Sequence, residues 1–294
     1  MPEEDTDGSL RCVVCDAKPG PDVERAQVRC NVRSFGDESF DVWRCAACAS
    51  IHASEDVDLD HYYAGYPVFG AELDWKLKVV YGSLLTRLTD AGVRPDGSLL
   101  DYGCGKGLLV EYLRTSQFDQ AVGYDPYAPG FDDRSLLEQR YDAIVSQDVI
   151  EHVDDPRQLM RQFDEMLVPG GIAAIGTPDA AALGLDAPED YVHALHQPYH
   201  RHILSMDALK RCGEQLGWEV TAEYSTMYNN TLVPTMNPRF VLHYVRCHDD
   251  FFDLVTEPVR LSWRLLTPAT PFYALFGYFF DRGTDITVIF RKPA

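Results

Sequence analysis

The sequence is poor in positive charge and has no apolar run long enough to cross a bilayer. Its 46 acidic residues outnumber 26 basic ones, leaving a formal charge of −20 at pH 7. A surface of that sign repels phosphate backbones, so nucleic acid is a disfavoured partner. The opening, MPEEDTDGSL, has acidic residues and no apolar core, and no secretory signal is expected there. The most apolar late stretch, LLTPATPFYALFGYFF, is short and holds two prolines, so no membrane span is expected either. A phosphate-cradling loop is also missing, because it needs Lys followed by Ser or Thr and Lys106 is followed by Gly107. These absences point to a cytoplasmic protein whose partner is not a long polyanion.

What is present suffices for one large α/β unit and a small appendage: 294 residues, 46% of them apolar. Cys12, Cys15, Cys45 and Cys48 form two CxxC pairs. In a reducing compartment such pairs read as metal knuckles before disulfides, and four thiolates suit tetrahedral Zn²⁺. The expectation is a structural zinc ribbon over residues 1–55, with short strands between the knuckles and Cys30 as packing. Residues 56–97 then hold an aromatic connector, HYYAGYPVFG, which is expected to be irregular and to border the active site. An amphipathic helix follows, with Leu73, Leu77, Val80, Leu84 and Leu88 at helical spacing and Gly92 and Pro95 ending it.

From Ser98 strand and helix patterns alternate: SLLDYG, a helix from Leu108, AVGYDP, YDAIVSQDVI, a helix with Leu159, Phe163 and Leu167, then GIAAIGTP. This order predicts an α/β fold, a Rossmann-like doubly wound parallel sheet with helices on both faces. Ser205 is placed to cap a further helix that Gly217 stops, and WEVTAEYS and TDITVIFRK read as closing strands. Between those strands lie residues 226–283, rich in aromatics. They read as a helical insertion with its own core, or as a lid over the acceptor site.

The stretch LLDYGCGKGLLVEYL puts Gly103, Gly105 and Gly107 behind Asp101, between a strand and a helix. GxGxG falls short of the dinucleotide fingerprint GxGxxG, and Asp101 would sit close to a pyrophosphate. A zwitterionic ligand without phosphate, such as S-adenosylmethionine, is helped by that aspartate. DYGCGKG fits DxGxGxG, and here the chain resembles the class I S-adenosylmethionine-dependent methyltransferases. The resemblance implies that Asp101, Gly103, Gly105 and Gly107 hold the methionine end of the cofactor, and that Asp125 in VGYDP takes the ribose hydroxyls. YDAIVSQDVIEHVDDP resembles the family pattern FDxIxxxxVxEHxxDP, which places Gln147 and Asp148 towards the cofactor. One departure stands out: sixteen residues between Asp125 and Asp142 are too few for the usual helix and third strand, leaving Phe131, Asp132 or Asp133 for the adenine.

Asp148, Glu151 and His152 resemble a set that binds a divalent ion in some quinone-biosynthetic O-methyltransferases, although many relatives carry Glu-His without metal. His152 lies where a strand end meets the crevice and suits a general base. HALHQPYHRH brings His193, His196, His200 and His202 to the acceptor side, where His200 is a second candidate base and most of the others are expected to be structural. The layout of ribbon, aromatic linker and catalytic domain resembles bacterial methyltransferases of natural-product and surface-polysaccharide pathways. It implies methyl transfer to a small-molecule acceptor, oxygen before nitrogen or carbon. Two rivals are a zinc-ribbon ribosomal RNA methyltransferase, which would need a basic ribbon where this one has Asp37, Glu38 and Asp41, and a cofactor-binding scaffold without catalysis.

Overall fold

The computed structural model describes residues 11–64 and 72–294. Ten strands follow one another: β1 (Arg25–Arg29), β2 (Ser39–Arg44), β3 (Ile51–Ala53), β4 (Leu99–Tyr102), β5 (Ala121–Tyr124), β6 (Tyr141–Gln147), β7 (Leu167–Pro178), β8 (His202–Ile203), β9 (Glu219–Tyr224) and β10 (Asp285–Arg291). They build a six-stranded sheet in the order β5-β4-β6-β7-β10-β9 and a four-stranded sheet in the order β1-β2-β3-β8.

In the larger sheet β5, β4, β6 and β7 are parallel, whereas β10 runs antiparallel to both β7 and β9. The sheet is therefore mixed rather than wholly parallel. Strand β6 is buried on both faces through Ala143, Ile144, Val145 and Ser146, which is why it reads as a continuous run rather than an alternation. One face is covered by the helices Pro156–Met166 and Met206–Gln215, whose Leu159, Met160, Phe163 and Leu209 pack with Trp218 and Phe290. The other is covered by Trp75–Asp90 and Leu108–Thr115 through Leu84, Leu88, Leu109 and Leu113. Each such leucine contributes about 1.5–3 kcal/mol by leaving water. Asp74, Asp155 and Ser205 cap their helices by accepting from Leu77 N, from Arg157 N and Gln158 N, and from Ala208 N. Among the described residues nothing extends the sheet beyond β5: the chain from Asp125 to Asp142 is a loop with a short 3-10 turn, Arg134–Glu138.

The smaller sheet is not a free-standing appendage. Its last strand, β8, comes from the histidine-rich stretch after β7 and pairs Ile203 with Ile51 and His202 with His52. Ser205 Oγ donates to Cys48 O at 2.7 Å. Arg44 donates from Nη1 to Ala180 O at 2.6 Å and from Nη2 to Leu183 O. Cys12, Val14, Trp43, Cys45 and Cys48 share one core with Leu204, Leu209 and Cys212. The start of the aromatic connector is helical, Leu59–Tyr63, rather than irregular, and residues 65–70 of that connector lie outside the described residues. The insertion forms the helices Pro238–Arg246, Asp253–Thr256 and Ala269–Phe276. It also docks on the smaller sheet's loops, with Arg33 forked onto Glu257 at 2.7 and 3.2 Å and Phe252 N donating to Asn31 O at 2.7 Å.

Candidate active site

The glycine turn leaves β4 by doubling back onto β5: Gly103 N and Cys104 N both donate to Tyr124 O, at 2.7 and 3.2 Å. Gly103, Gly105 and Gly107 have φ of +81°, +52° and +73°. The three differ in what a side chain would meet. A Cβ on Gly103 would fall on the Val149 side chain and one on Gly107 on the Phe131 ring, while one on Gly105 would enter open space. The first and last glycines are thus required by packing, and the middle one keeps a space clear beside the turn.

Two carboxylates flank that space. Asp125 at the end of β5 accepts from Gly105 N at 3.0 Å and from Tyr127 N at 2.8 Å. Asp101 on β4 is 5% exposed, its carboxylate takes no hydrogen bond among the described residues, and burial, reinforced by the Asp125 charge, pushes its carboxyl up to about 7. Of the three adenine candidates, Phe131 reaches the turn. Asp133 instead accepts from Ser135 N at 2.9 Å, and Asp132 is exposed. Gln147 folds its amide back, donating to Ser146 O at 3.2 Å and Ala174 O at 3.4 Å over the bare face of Gly176.

At the C-terminal edge of the sheet, where Asp148 follows β6 and Pro178 ends β7, lies a cavity of about 350 Å³. Its floor includes Asp148, His152, His200 and Asp285, and its roof comes from the insertion, with Leu242 and Phe252 among the roof residues. Asp148 is open to the cavity yet enclosed by protein, which pushes its carboxyl up to about 6. Asp285 rises to about 7 through burial and the repulsion of Asp148.

Three groups meet under this floor. Ligand atoms of Glu151, His152 and His200 lie within 4.8 Å of one another. The set resembling a divalent-ion site was Asp148, Glu151 and His152; in space His200 takes the place of Asp148, because Asp148 has a positive φ of 55° at the strand end while the histidine-rich loop folds back over Glu151. Glu151 is fully buried, accepts from Thr177 Oγ1 at 3.0 Å through Oε2, and leaves Oε1 without a partner, 3.9 Å from His200 Nε2. Burial and Asp148 raise its carboxyl well above the ordinary range. His200 Nδ1 is 2.8 Å from Ala194 O, and since a carbonyl can only accept, Nδ1 carries the hydrogen and Nε2 keeps its lone pair. Burial beside His152 holds His200 neutral. Burial also depresses His152 to about 4, and its Nδ1 is engaged by Tyr63 Oη at 3.0 Å. Tyr63, from the connector, stacks on Tyr127 beside Asp125 with ring centroids 5.2 Å apart, so one side chain bridges the two halves of the cleft.

The other histidines of the HALHQPYHRH stretch are tied into networks. His196 and His193 both bond Asn31, at 2.6 and 3.1 Å; His193 also meets Asp250 at 2.8 Å, and His202 meets His52 at 3.1 Å. No periodicity marked Glu151 as buried or Tyr63 as a bridge, although the EH pair and the aromatic run were the available signals. On the far side of β8, Cys12, Cys15, Cys45 and Cys48 converge, with sulfurs 3.5 Å apart for Cys12 and Cys48 and 3.6 Å apart for Cys15 and Cys45. His52 Nε2 lies 3.2 Å from the Cys12 sulfur.

A family profile described as a methyltransferase domain matches residues 76–223. The ubiquinone biosynthesis O-methyltransferase of Nitrobacter winogradskyi is 30% identical over 165 residues, covering 47% of this chain and 61% of that protein. The protein of the same description from Dinoroseobacter shibae is 28% identical over 157 residues, covering 45% and 63%. The chain thus spans less than two thirds of the length of these relatives. A solved S-adenosylmethionine-dependent methyltransferase from Archaeoglobus fulgidus is 16% identical, with 79% of this chain and 100% of that chain covered at a TM-score of 0.45.

Proposed function

Because this chain belongs to the methyltransferase domain family, we propose that it moves the methyl group of S-adenosylmethionine to an oxygen of a small acceptor held in the 350 Å³ cavity. The observation that carries this reading is Asp101. A nearly buried carboxylate with no donor among the described residues, in the strand that leads into the turn kept open at Gly105, answers a ligand that brings an ammonium and no phosphate. The ubiquinone O-methyltransferases among the relatives support oxygen as the acceptor atom. When bound, the sulfonium supplies an activated methyl with a good leaving group.

The chain's own residues then have two tasks, positioning and proton removal. Asp101 takes the ammonium, Asp125 keeps lone pairs for two hydroxyls, and the insertion encloses the acceptor away from water. His200 is the better placed of the two candidate bases: it lines the cavity and its Nε2 keeps a lone pair, whereas His152 Nδ1 is engaged by Tyr63. Once His200 takes the acceptor's proton on Nε2, Glu151 Oε1 at 3.9 Å is the nearest carboxyl oxygen to the new charge. His152 and Tyr63 orient the floor. The four cysteines fit a closed tetrahedral Zn²⁺ site with no position for substrate, so zinc there is structural.

Labelled S-adenosylmethionine given with a metabolite extract in one tube and total RNA in another tests the reading. Label should enter a small molecule, fall by about 10²-fold or more in His200→Ala, and fall less in His152→Ala. Label mainly in RNA, or none in either tube with cofactor bound, overturns it.

A further inference from the structure

Most of the large apolar side chains that the described residues leave exposed lie in one stretch, residues 255–280. Leu261 is 93% exposed, Leu266 86%, Trp263 79% and Phe279 68%. The helix Ala269–Phe276 has no buried residue. The Phe272 ring lies 5.7 Å from that of Phe276 and 5.2 Å from that of Phe280, so these side chains gather instead of scattering. Exposed apolar side chains concentrated in one segment mark a place where something apolar docks.

Charge says what docks. Residues 258–280 contain no acidic residue, although acids number 46 in the 294-residue chain, and they carry Arg260 and Arg264. These arginines pair with Glu257 at 2.8 Å and Asp249 at 2.7 Å but stay 56% and 46% exposed, and pairs so exposed exchange readily for another anion. Tryptophan, phenylalanine, tyrosine and leucine beside arginine, without acid, is the composition of segments that lie in the headgroup plane of a bilayer. The same segment of a second copy offers these arginines no acidic residue, whereas an anionic headgroup offers them a negative charge. Among the described residues no helix is long and apolar enough to cross a membrane, so the contact is with its surface.

We propose that residues 258–280 form a surface that seats on a lipid bilayer bearing anionic headgroups, with Trp263, Leu266 and Phe279 at the acyl boundary and Arg260 and Arg264 at the phosphates. The acidic remainder of the chain is repelled by the same headgroups, which turns this face towards them. The proposal does not depend on methyl transfer.

The test sediments the full chain with vesicles of phosphatidylcholine and phosphatidylglycerol, and with phosphatidylcholine alone. The wild type should pellet with the mixed vesicles and more weakly with the neutral ones. The double variant Trp263→Ser, Phe279→Ser should pellet at least tenfold less, with an unchanged unfolding midpoint because both side chains face water. A wild type that stays in the supernatant, or a double variant that pellets equally, overturns the proposal. So does a stable dimer without vesicles that the double variant abolishes, since the face then belongs to a second copy.

Discussion

The Asp101 carboxyl has no ion-pair or hydrogen-bond partner among the described residues, and that ties ligand affinity to pH. In the free protein its carboxyl titrates at about 7 instead of near 4. Below that value it is protonated and offers an ammonium no counter-charge; above it the carboxylate is ready. The association constant for S-adenosylmethionine should be flat above pH 7.5 and fall by about tenfold per unit below pH 7. Calorimetry from pH 5.5 to 7.5 measures this, and Asp101→Asn should bind weakly with no slope. A wild type flat across that range would remove Asp101 from the ligand's surroundings. Asp125→Ala, which strips a charged partner from the turn, should cost about 1–3 kcal/mol of affinity. The glycines separate fold from function. Gly107→Ala meets the Phe131 ring and a positive φ, and should lose about 2–4 kcal/mol of stability, read as a lower unfolding midpoint. Gly105→Leu carries the strain of a positive φ, about 1–2 kcal/mol, but meets no neighbour, so it should lose less stability than Gly107→Ala while losing ligand affinity. Both variants folding and binding alike would mean that the cleft has been misplaced.

Single elements explain why some of this was legible in advance. The strand and helix patterns from SLLDYG to GIAAIGTP are long enough for their period to show, and the structure places an element at each. Strand β8 was not legible, because two residues carry no period and its partner is chosen by the converging cysteines. The insertion misleads in another way: residues such as Trp263 and Phe279 read as core or lid in a sequence, and only the fold reveals that they face water. The four cysteines were legible because two matched spacings rarely arise by packing. Elemental analysis should find one zinc per chain, and Cys15→Ser should lose it. If that costs about 3 kcal/mol, the unfolding midpoint drops by roughly 6–10 °C. Because β3 holds the loop of His200 and not the glycine turn, methyl transfer should fall further than cofactor affinity. Zinc content near zero, with all four cysteines in disulfides, would refute the site.

On the scale of the whole molecule, the ligand-facing surfaces come from distant parts of the chain. Most of the proposed cofactor side, from Asp101 to Asp125, is local in sequence, and Gln147 and Asp148 join it from the end of β6. The acceptor side joins the connector, the end of β6, the histidine loop and the insertion, and no spacing rule links those. The pairing of His52 with His202 spans 150 positions. At about 5–20 residues per second, a ribosome needs roughly 8–30 s to make the chain between them. For that interval the cysteine knuckles are complete while the outer edge of β3 has no neighbour, and a bare strand edge recruits other chains. A fragment that stops short of residue 200 should therefore aggregate with zinc already bound, and a longer one that includes Ile203 and Leu204 should not. Late strand closure makes synthesis itself a step at which the edge of β3 is open to other chains.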